Sequence, residues 1–407
     1  MKILFVHQNF PGQFLHLAPA LAARGHEVLG LTDEGNKRPS RVPVLRYRKP
    51  QGAKADGLAK SYAEAVERGA SVARAAAQMR REKGYVPDVV FGHGGWGETL
   101  FLREVWPEAR HLTYAEFYYH SQGLDADFDA EFQTPDIGRR MRTTARKTHL
   151  LMALAEADAA LSPTEWQAST FPADLRGRIS VIHDGVDTDR VQPDPEASLT
   201  LPNGRVLRAG DEVISFVNRN LEPYRGYHIF LRALPEVLAA RPDAQVVIVG
   251  GDEVSYGPSP GEGKSWKEIF LAEVRGRLDL SRVHFLGKVP YAEFVALLQL
   301  TRVHTYLTYP FVLSWSLLEA MAAGAHVIGS RTAPVEEVIR HGENGQLVDF
   351  FDVQGWSAAL IAALDNPAAA DPLRAAARKT IVEGYDLSRV CLPRLIDFVE
   401  GTSTRRG

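Results

Sequence analysis

Short apolar runs alternate with helix-spaced segments along most of this chain. Residues 2–7 (KILFVH) read as a strand, followed by a loop holding Pro11 and Gly12 and a helical run from Phe14 to Arg24. Gly25 stops that helix, and the run from Glu27 to Leu31 supplies the next strand, giving a β-α-β unit. Strand-like runs recur at 89–95 (VVFGHGG), 111–117 (HLTYAEF) and 180–187 (SVIHDGVD). From Thr188 to Gly210 the chain is rich in Pro, Asp and Gly and loses its periodicity, which reads as a linker. The pattern then restarts with VISFVNR (213–219), a helix over 227–240 and QVVIVG (245–250). It continues through VHFLG (283–287), VHTYLT (303–308), HVIG (326–329) and QLVDF (346–350), and helical spacing returns near 387–400.

Two successive βα series predict an α/β protein with two Rossmann-like parallel-sheet domains facing across a cleft. The expected division is 1–187, a linker over 188–210, 211–386, and a C-terminal helix within 387–407. At 407 residues the chain exceeds the roughly 250–300 at which single cores stop growing, which agrees with two domains. A net charge of −3 gives no global reason to expect nucleic acid. The single cysteine, Cys391, excludes an intrachain disulfide and any multi-cysteine metal site. No run approaches the roughly 20 apolar residues of a membrane span, and the start of the chain lacks a signal-peptide core, so a cytoplasmic location is expected.

The densest chemical signal is YPFVLSWSLLEAMAAGAHVIGS, residues 309–330. An irregular stretch runs into a helix that ends at Gly324, followed by the apolar run from Ala325 to Gly329. Such a helix N-terminus offers backbone N–H groups and a positive dipole end to a phosphate, and Glu319 one turn in can hold sugar or ribose hydroxyls. Ser316-Leu-Leu-Glu319 is equally a capping box, which would make Glu319 a helix cap only. In NRNLEPYRG (218–226), Arg219 stands at a strand end and Arg225 just before a helix, where two guanidiniums can grip a diphosphate. Gly251 opens the Gly- and Pro-rich loop 250–264, of a kind that carries function at strand ends. FGHGGWGE (91–98) brings His93 and Glu98 among four glycines, and Glu116 follows the strand at 111–117. The run Asp125-Ala-Asp127-Phe-Asp129 lacks the glycine and glutamate of a calcium loop, so no catalytic metal is expected. Residues 137–157 set Arg139, Arg140, Arg142, Arg146 and Lys147 ahead of an apolar helical stretch, which suits either a solvated face or anionic lipid.

Taken together, these motifs resemble retaining glycosyltransferases of family 4, which have the GT-B fold. FVHQNFPGQF and NRNLEPYRGYHIFLRALPE look like a bacterial subgroup linked to polysaccharide or cell-surface glycan assembly. The resemblance implies that Arg219 and Arg225 neutralise a leaving diphosphate, with Arg225 standing where the family has Lys. Glu319 matches the second carboxylate of a Glu-x7-Glu pair that holds the nucleotide ribose, whereas Phe311 replaces the first, near the donor sugar. Val312, Leu313, Ser314 and Trp315 match the stretch whose N–H groups meet phosphates and sugar, and with Ser316 they complete the expected donor contacts. Trp315 either stacks on a sugar face or packs inside. Gly12 is expected to let the backbone approach the donor phosphate. Glu116 falls near a family histidine beside the reacting carbon, and His93 is expected to join it in catalysis.

The implied activity is transfer of a sugar from an NDP-sugar, UDP favoured, to a glycan, lipid-linked or small-molecule acceptor by front-face substitution. No cofactor is expected beyond the nucleotide-sugar co-substrate. Two other readings stay open: a sugar-nucleotide epimerase or other GT-B enzyme, and an inactive nucleotide-sugar-binding protein.

Overall fold

The computed structural model describes residues 1–133 and 136–401. The chain divides into two compact units, one of Met1–Gly185 with the segment from Ser388 onward, the other Val186–Leu387. Residues 402–407 of the expected C-terminal segment lie outside the described residues.

The first unit is built on seven strands: β1 (Lys2–Val6), β2 (Glu27–Asp33), β3 (Val44–Tyr47), β4 (Val89–His93), β5 (Arg110–Tyr114), β6 (Ala159–Ser162) and β7 (Ile179–Val181). They pair in the order β3-β2-β1-β4-β5-β6-β7, all parallel. β1 and β4 are almost wholly buried, as a parallel strand covered on both faces requires. Ile3, Phe5, Phe14, Leu21 and Phe91 form one core cluster with Leu395, Phe398 and Val399 of the helix Leu392–Glu400. Arg24 and His26 anchor that helix through Glu400, each at 2.9 Å. Elements without a reading in the sequence include edge strand β3, strand β6 and the helix Lys60–Lys83, whose buried stripe is Ala65, Gly69, Val72, Ala76 and Met79.

Residues 188–210 are not a linker. They contain the antiparallel hairpin of β8 (Ser198–Thr200) and β9 (Val206–Arg208), and Leu199, Leu201 and Leu207 enter the core of the second unit with Val213 and Val247. Prolines and glycines made the segment look irregular, but alternate positions on both short strands are apolar and buried. The division therefore falls at Gly185/Val186, and Val186 and Leu387 are tied side by side through the Val186–Asp386 bridge.

The second sheet contains β10 (Val213–Asn220), β11 (Gln245–Gly251), β12 (Val283–Gly287), β13 (Val303–Tyr306), β14 (His326–Ser330) and β15 (Gln346–Val348). Its order is β12-β11-β10-β13-β14-β15, again parallel throughout. Strand order reverses between β1 and β4 in one sheet and between β10 and β13 in the other, and ligands of open α/β sheets bind outside the carboxyl ends at such points. Among the described residues no helix is long and apolar enough to cross a membrane.

Buried histidines give both cores a pH dependence. Burial pulls His304 down to about 3, with its Nδ1 2.8 Å from Ser215 Oγ between β13 and β10, and pulls His183 in the first unit down to about 4. Each group binds its proton in the unfolded chain below about 6.5 but in the folded chain only near its depressed value. Stability contributed by the neutral form is therefore present above pH 6.5 and is lost as pH falls toward 4. We expect unfolding free energy to drop by about 1.4 kcal/mol per pH unit for each such histidine. His304→Asn, which leaves a partner for Ser215, should flatten this slope in urea titrations at pH 6.5 and 4.5; an unchanged slope would remove His304 from the effect.

Candidate active site

At the carboxyl end of β10 the sequence separates two arginines into different environments. Arg219 is the exposed residue of an otherwise buried strand. Arg225 lies in the single helical turn Pro223–Arg225 and is buried, only 4% exposed. Its Nη1 donates to Thr308 Oγ1 at 2.8 Å and to the Val312 carbonyl at 3.0 Å. The guanidinium lies 5.1 Å from the Tyr256 ring and 5.8 Å from that of Phe311. Burial works against its charge, but the oxygens of Tyr306, Tyr256 and Glu222 more than offset this and raise its pKa. Arg225 therefore braces the loop ahead of the expected phosphate site, while Arg219 is the cation open to a ligand.

Phe311, where a carboxylate was expected, belongs to an aromatic cluster with Tyr224 (5.6 Å) and Tyr256 (5.0 Å). Tyr309 adds a further ring 4.7 Å from Tyr224. Apolar and cation–π contacts thus occupy the place of the missing acid.

The helix after β13 runs Trp315–Ala322, and its N-cap is Ser314, which accepts from the Ser316 N–H. The Ser314 N–H donates in turn to Tyr306 Oη at 2.8 Å. With the cap two residues earlier than the capping-box reading needs, Glu319 stands too deep in the helix to close its end. Instead Glu319 Oε1 accepts from Tyr291 Oη at 2.7 Å, and the Arg190 guanidinium lies 4.4 Å from the Tyr291 ring. Burial raises the Glu319 pKa, opposed by the Tyr291 hydrogen bond and the Arg190 charge. Ser316 is buried and Leu313 half-buried, whereas Trp315 is 42% exposed, which removes the interior-packing reading for that ring.

Gly251 ends β11 opposite Asn220 of β10, and a Cβ there would lie 2.5 Å from Asn220 Oδ1. A larger residue there would displace the Asn220 side chain. The following loop is gathered by Glu222, a residue the sequence reading passed over although it lies between the two arginines. Its buried carboxylate accepts N–H bonds from Ser255, Tyr256 and Gly257 at 3.1–3.3 Å. Burial raises its pKa and the three N–H groups hold it down.

In the first unit, His93 closes β4, stacked between Trp96 (4.3 Å) and Tyr114 (5.3 Å). Its Nδ1 accepts from the Gly95 N–H at 3.0 Å, which leaves Nε2–H aimed at Glu116 Oε2, 3.6 Å away. Glu116 Oε1 accepts from Gln13 Nε2 at 2.9 Å, and Gln13 Oε1 lies 2.8 Å from His7 Nε2. Burial and the neighbouring His93 hold His7 neutral, with its pKa lowered to about 3. His93 and Glu116 therefore lie side by side, and Glu116 is linked through Gln13 to His7, two residues that had no signal beyond their place in the first loop. Gly12 has φ of 50° and a Cβ would sit 2.5 Å from His7 Nε2, so glycine is needed to seat the His7 ring. Glu98 is buried near Tyr47, 3.3 Å from its hydroxyl, outside this network.

His93 and Glu116 line a narrow pocket of about 60 Å³ together with Tyr119 and Arg146. Arg146 ends the helix Ile137–Arg146 and packs 4.1 Å over the Tyr119 ring. Asp127 and Asp129 of the acidic run accept backbone N–H groups of Gly123 and Glu131 in local turns.

Glu222→Ala should leave three backbone donors without their acceptor, at about 1–3 kcal/mol for such a loss. We expect the loop 250–264 to become cleavable in limited proteolysis while the first unit stays resistant; a resistant loop would show that other contacts hold it.

Two family models match the chain in succession: a glycosyl transferase family 4 group over residues 24–191 and glycosyl transferases group 1 over 202–380. Glycogen synthase of Mycobacterium tuberculosis is 24% identical over 421 aligned positions, covering 96% of this chain and 92% of the relative. D-inositol 3-phosphate glycosyltransferase of Mycobacterium avium is 30% identical over 212 positions, covering 51% and 46%. Among solved structures, sucrose-phosphate synthase from Thermosynechococcus elongatus matches with a TM-score of 0.71 at 18% identity, covering 99% and 100%. HepE of Anabaena, in complex with UDP, matches with a TM-score of 0.67 at 16% identity over 99% of both chains. With the two family models following one another on two parallel Rossmann-like sheets, this chain is a glycosyltransferase of the family-4 type with the GT-B fold.

Proposed function

We propose that the protein transfers a sugar from a nucleoside-diphosphate sugar to a hydroxyl acceptor with retention of anomeric configuration. The observation that carries this reading is the second unit's set of an exposed Arg219, the helix beginning at Trp315, and Glu319, on segments that follow β10 and β13. Arg219 and the helix N-terminal N–H groups meet the diphosphate, where charge grows as the glycosidic bond breaks. Glu319 accepts the ribose hydroxyls. Arg225 acts as a positioning residue, holding the Val312 carbonyl so that the loop keeps its shape. UDP is the favoured base because HepE, a neighbour in fold, is seen with UDP and with UDP-glucose.

In front-face substitution the acceptor oxygen bonds to the anomeric carbon on the face from which the diphosphate departs. The hydroxyl proton passes to the leaving phosphate oxygen, so no protein base is required. Glu116, held by Gln13, orients the acceptor hydroxyl. The acceptor is a sugar-containing molecule, and assembly of a glycan outside the cytoplasm's own metabolism is the role we favour.

Thermal shifts with UDP, GDP, ADP and dTDP test the donor site. One nucleotide should stabilise the protein by about RT ln(1 + [L]/Kd). Arg219→Ala should abolish that shift and cut turnover at least about 100-fold, the loss typical of removing one oxyanion-stabilising donor. A normal shift and rate in this variant would exclude Arg219 from the donor site. Glu116→Ala should lower kcat/KM for the acceptor about 10–100-fold with donor KM unchanged, since only orientation is lost. An equal rise in donor KM would instead place Glu116 on the donor. Proton NMR of the product against the donor's anomeric signal decides retention or inversion.

A further inference from the structure

Tyr291 opens the helix Tyr291–Leu300, which follows β12, with Pro290 as its N-cap. Its ring is 41% exposed yet held by two neighbours. The Arg190 guanidinium lies 4.4 Å from the ring centroid, and Phe294, one turn along the same helix, lies 5.7 Å away. Arg190 is anchored in turn, since its backbone N–H donates to Asp187 Oδ1 at 3.1 Å. Ordering an exposed ring and an arginine costs side-chain entropy, and the cation–π contact offsets part of that cost. The clamp fixes the direction in which the Tyr291 hydroxyl points.

That hydroxyl faces Glu319, to whose Oε1 it donates at 2.7 Å. Burial and the Glu319 charge both raise the Tyr291 pKa, so the phenol keeps its proton and is the donor of the pair. Its one hydrogen is thereby engaged, while its oxygen lone pairs can still accept. Glu319 is half-buried, and its Oε2 has no hydrogen-bond partner among the described residues. A carboxylate oxygen partly withdrawn from water gains most from a ligand that brings a donor. Two acceptors are thus available together, Glu319 Oε2 and Tyr291 Oη, linked through Glu319 Oε1.

A ribose carries two neighbouring hydroxyls, each with a hydrogen to donate. A free carboxylate can take both, one on each oxygen. Here Tyr291 already occupies Oε1, which leaves Oε2 for one hydroxyl and the phenol oxygen for the other. We propose that Tyr291 is a second ribose-recognition residue, which accepts one of the two hydroxyls beside Glu319 and so selects ribonucleoside over deoxyribonucleoside diphosphate sugars. This rests on the reading of Glu319 as the ribose ligand. A site built to hydrogen-bond a hydroxyl rejects the analogue that lacks it, because the site's own polar groups are left unpaired. Sugars carried on dTDP, which lacks the 2′-hydroxyl, are excluded on this ground whatever the sugar.

Calorimetric titration of the full chain with UDP, ADP and GDP, each beside its 2′-deoxy and 3′-deoxy forms, tests the proposal. One ribonucleotide should bind at least about tenfold more tightly than either of its deoxy forms. Tyr291→Phe keeps the ring and its Arg190 contact and removes only the hydroxyl. In this variant that ribonucleotide should weaken about tenfold and match one deoxy form, with the melting temperature unchanged. The other deoxy form should still be rejected, through Glu319. In turnover the loss should fall on donor KM, with kcat within about twofold, because the ribose lies away from the bond that breaks. A tyrosine with only a structural role would weaken all three forms alike. Both ratios would then stay as in the wild type, and the proposal would be overturned. Wild-type protein that binds a ribonucleotide no better than its deoxy forms would overturn the proposal and the Glu319 reading together, with Arg219 untouched. Preference for dTDP over UDP would do the same. Binding of no nucleotide would overturn the donor reading itself.

Discussion

A buried positive charge organises the donor half of this protein. Removing a guanidinium from water costs several kcal/mol unless its donors find oxygens and its face finds aromatic electrons. Arg225 meets both demands through Thr308, the Val312 carbonyl and the rings of Tyr256 and Phe311. These partners come from two loops, so satisfying one charge fixes the loop after β11 and the loop after β13 against Arg225's own turn after β10. Glu222 strengthens the arrangement from the other side by gathering the N–H groups of Ser255, Tyr256 and Gly257.

This division of labour explains how the chain tolerates Phe311. A carboxylate at that position would sit beside the arginine and also face the donor sugar. A phenyl ring keeps the guanidinium company through its π face but offers the sugar no hydrogen-bond acceptor. On the proposed reading, other groups supply the contacts to a donor sugar, while the loop keeps its shape. Arg219, exposed at the strand end, is left as the cation that a diphosphate can reach.

The first unit uses a different principle. Its central group, Glu116, is held by a chain of amide and imidazole donors that leads back to the neutral His7. Amide and imidazole groups orient the carboxylate without quenching its charge, and His93, stacked between Trp96 and Tyr114, is held 3.6 Å from it. Arg146 shares its pocket, and further cations gather at the ends of β2 and β3.

The alternation of apolar runs and helical spacing indicated two parallel sheets and most of their strands, because a strand buried on two faces must be apolar along its length, but it passed over the short β3 and β6. It also placed Arg219, Gly251 and the helix containing Glu319 at strand ends, since these positions follow directly from where the runs stop. The spacing could not tell a capping glutamate from a ligand-facing one. Moving the N-cap from Ser316 to Ser314 depended on Tyr306, eight residues back, accepting the Ser314 N–H. Nor could it recognise the hairpin within 188–210, whose few apolar residues gain meaning only against the core they fill. The burial of Arg225, the role of Glu222 and the joining of His7, Gln13, Glu116 and His93 were decided by tertiary structure alone. Each depends on which side chains from distant segments arrive within hydrogen-bond reach, and a linear pattern of polarity records burial but not partners.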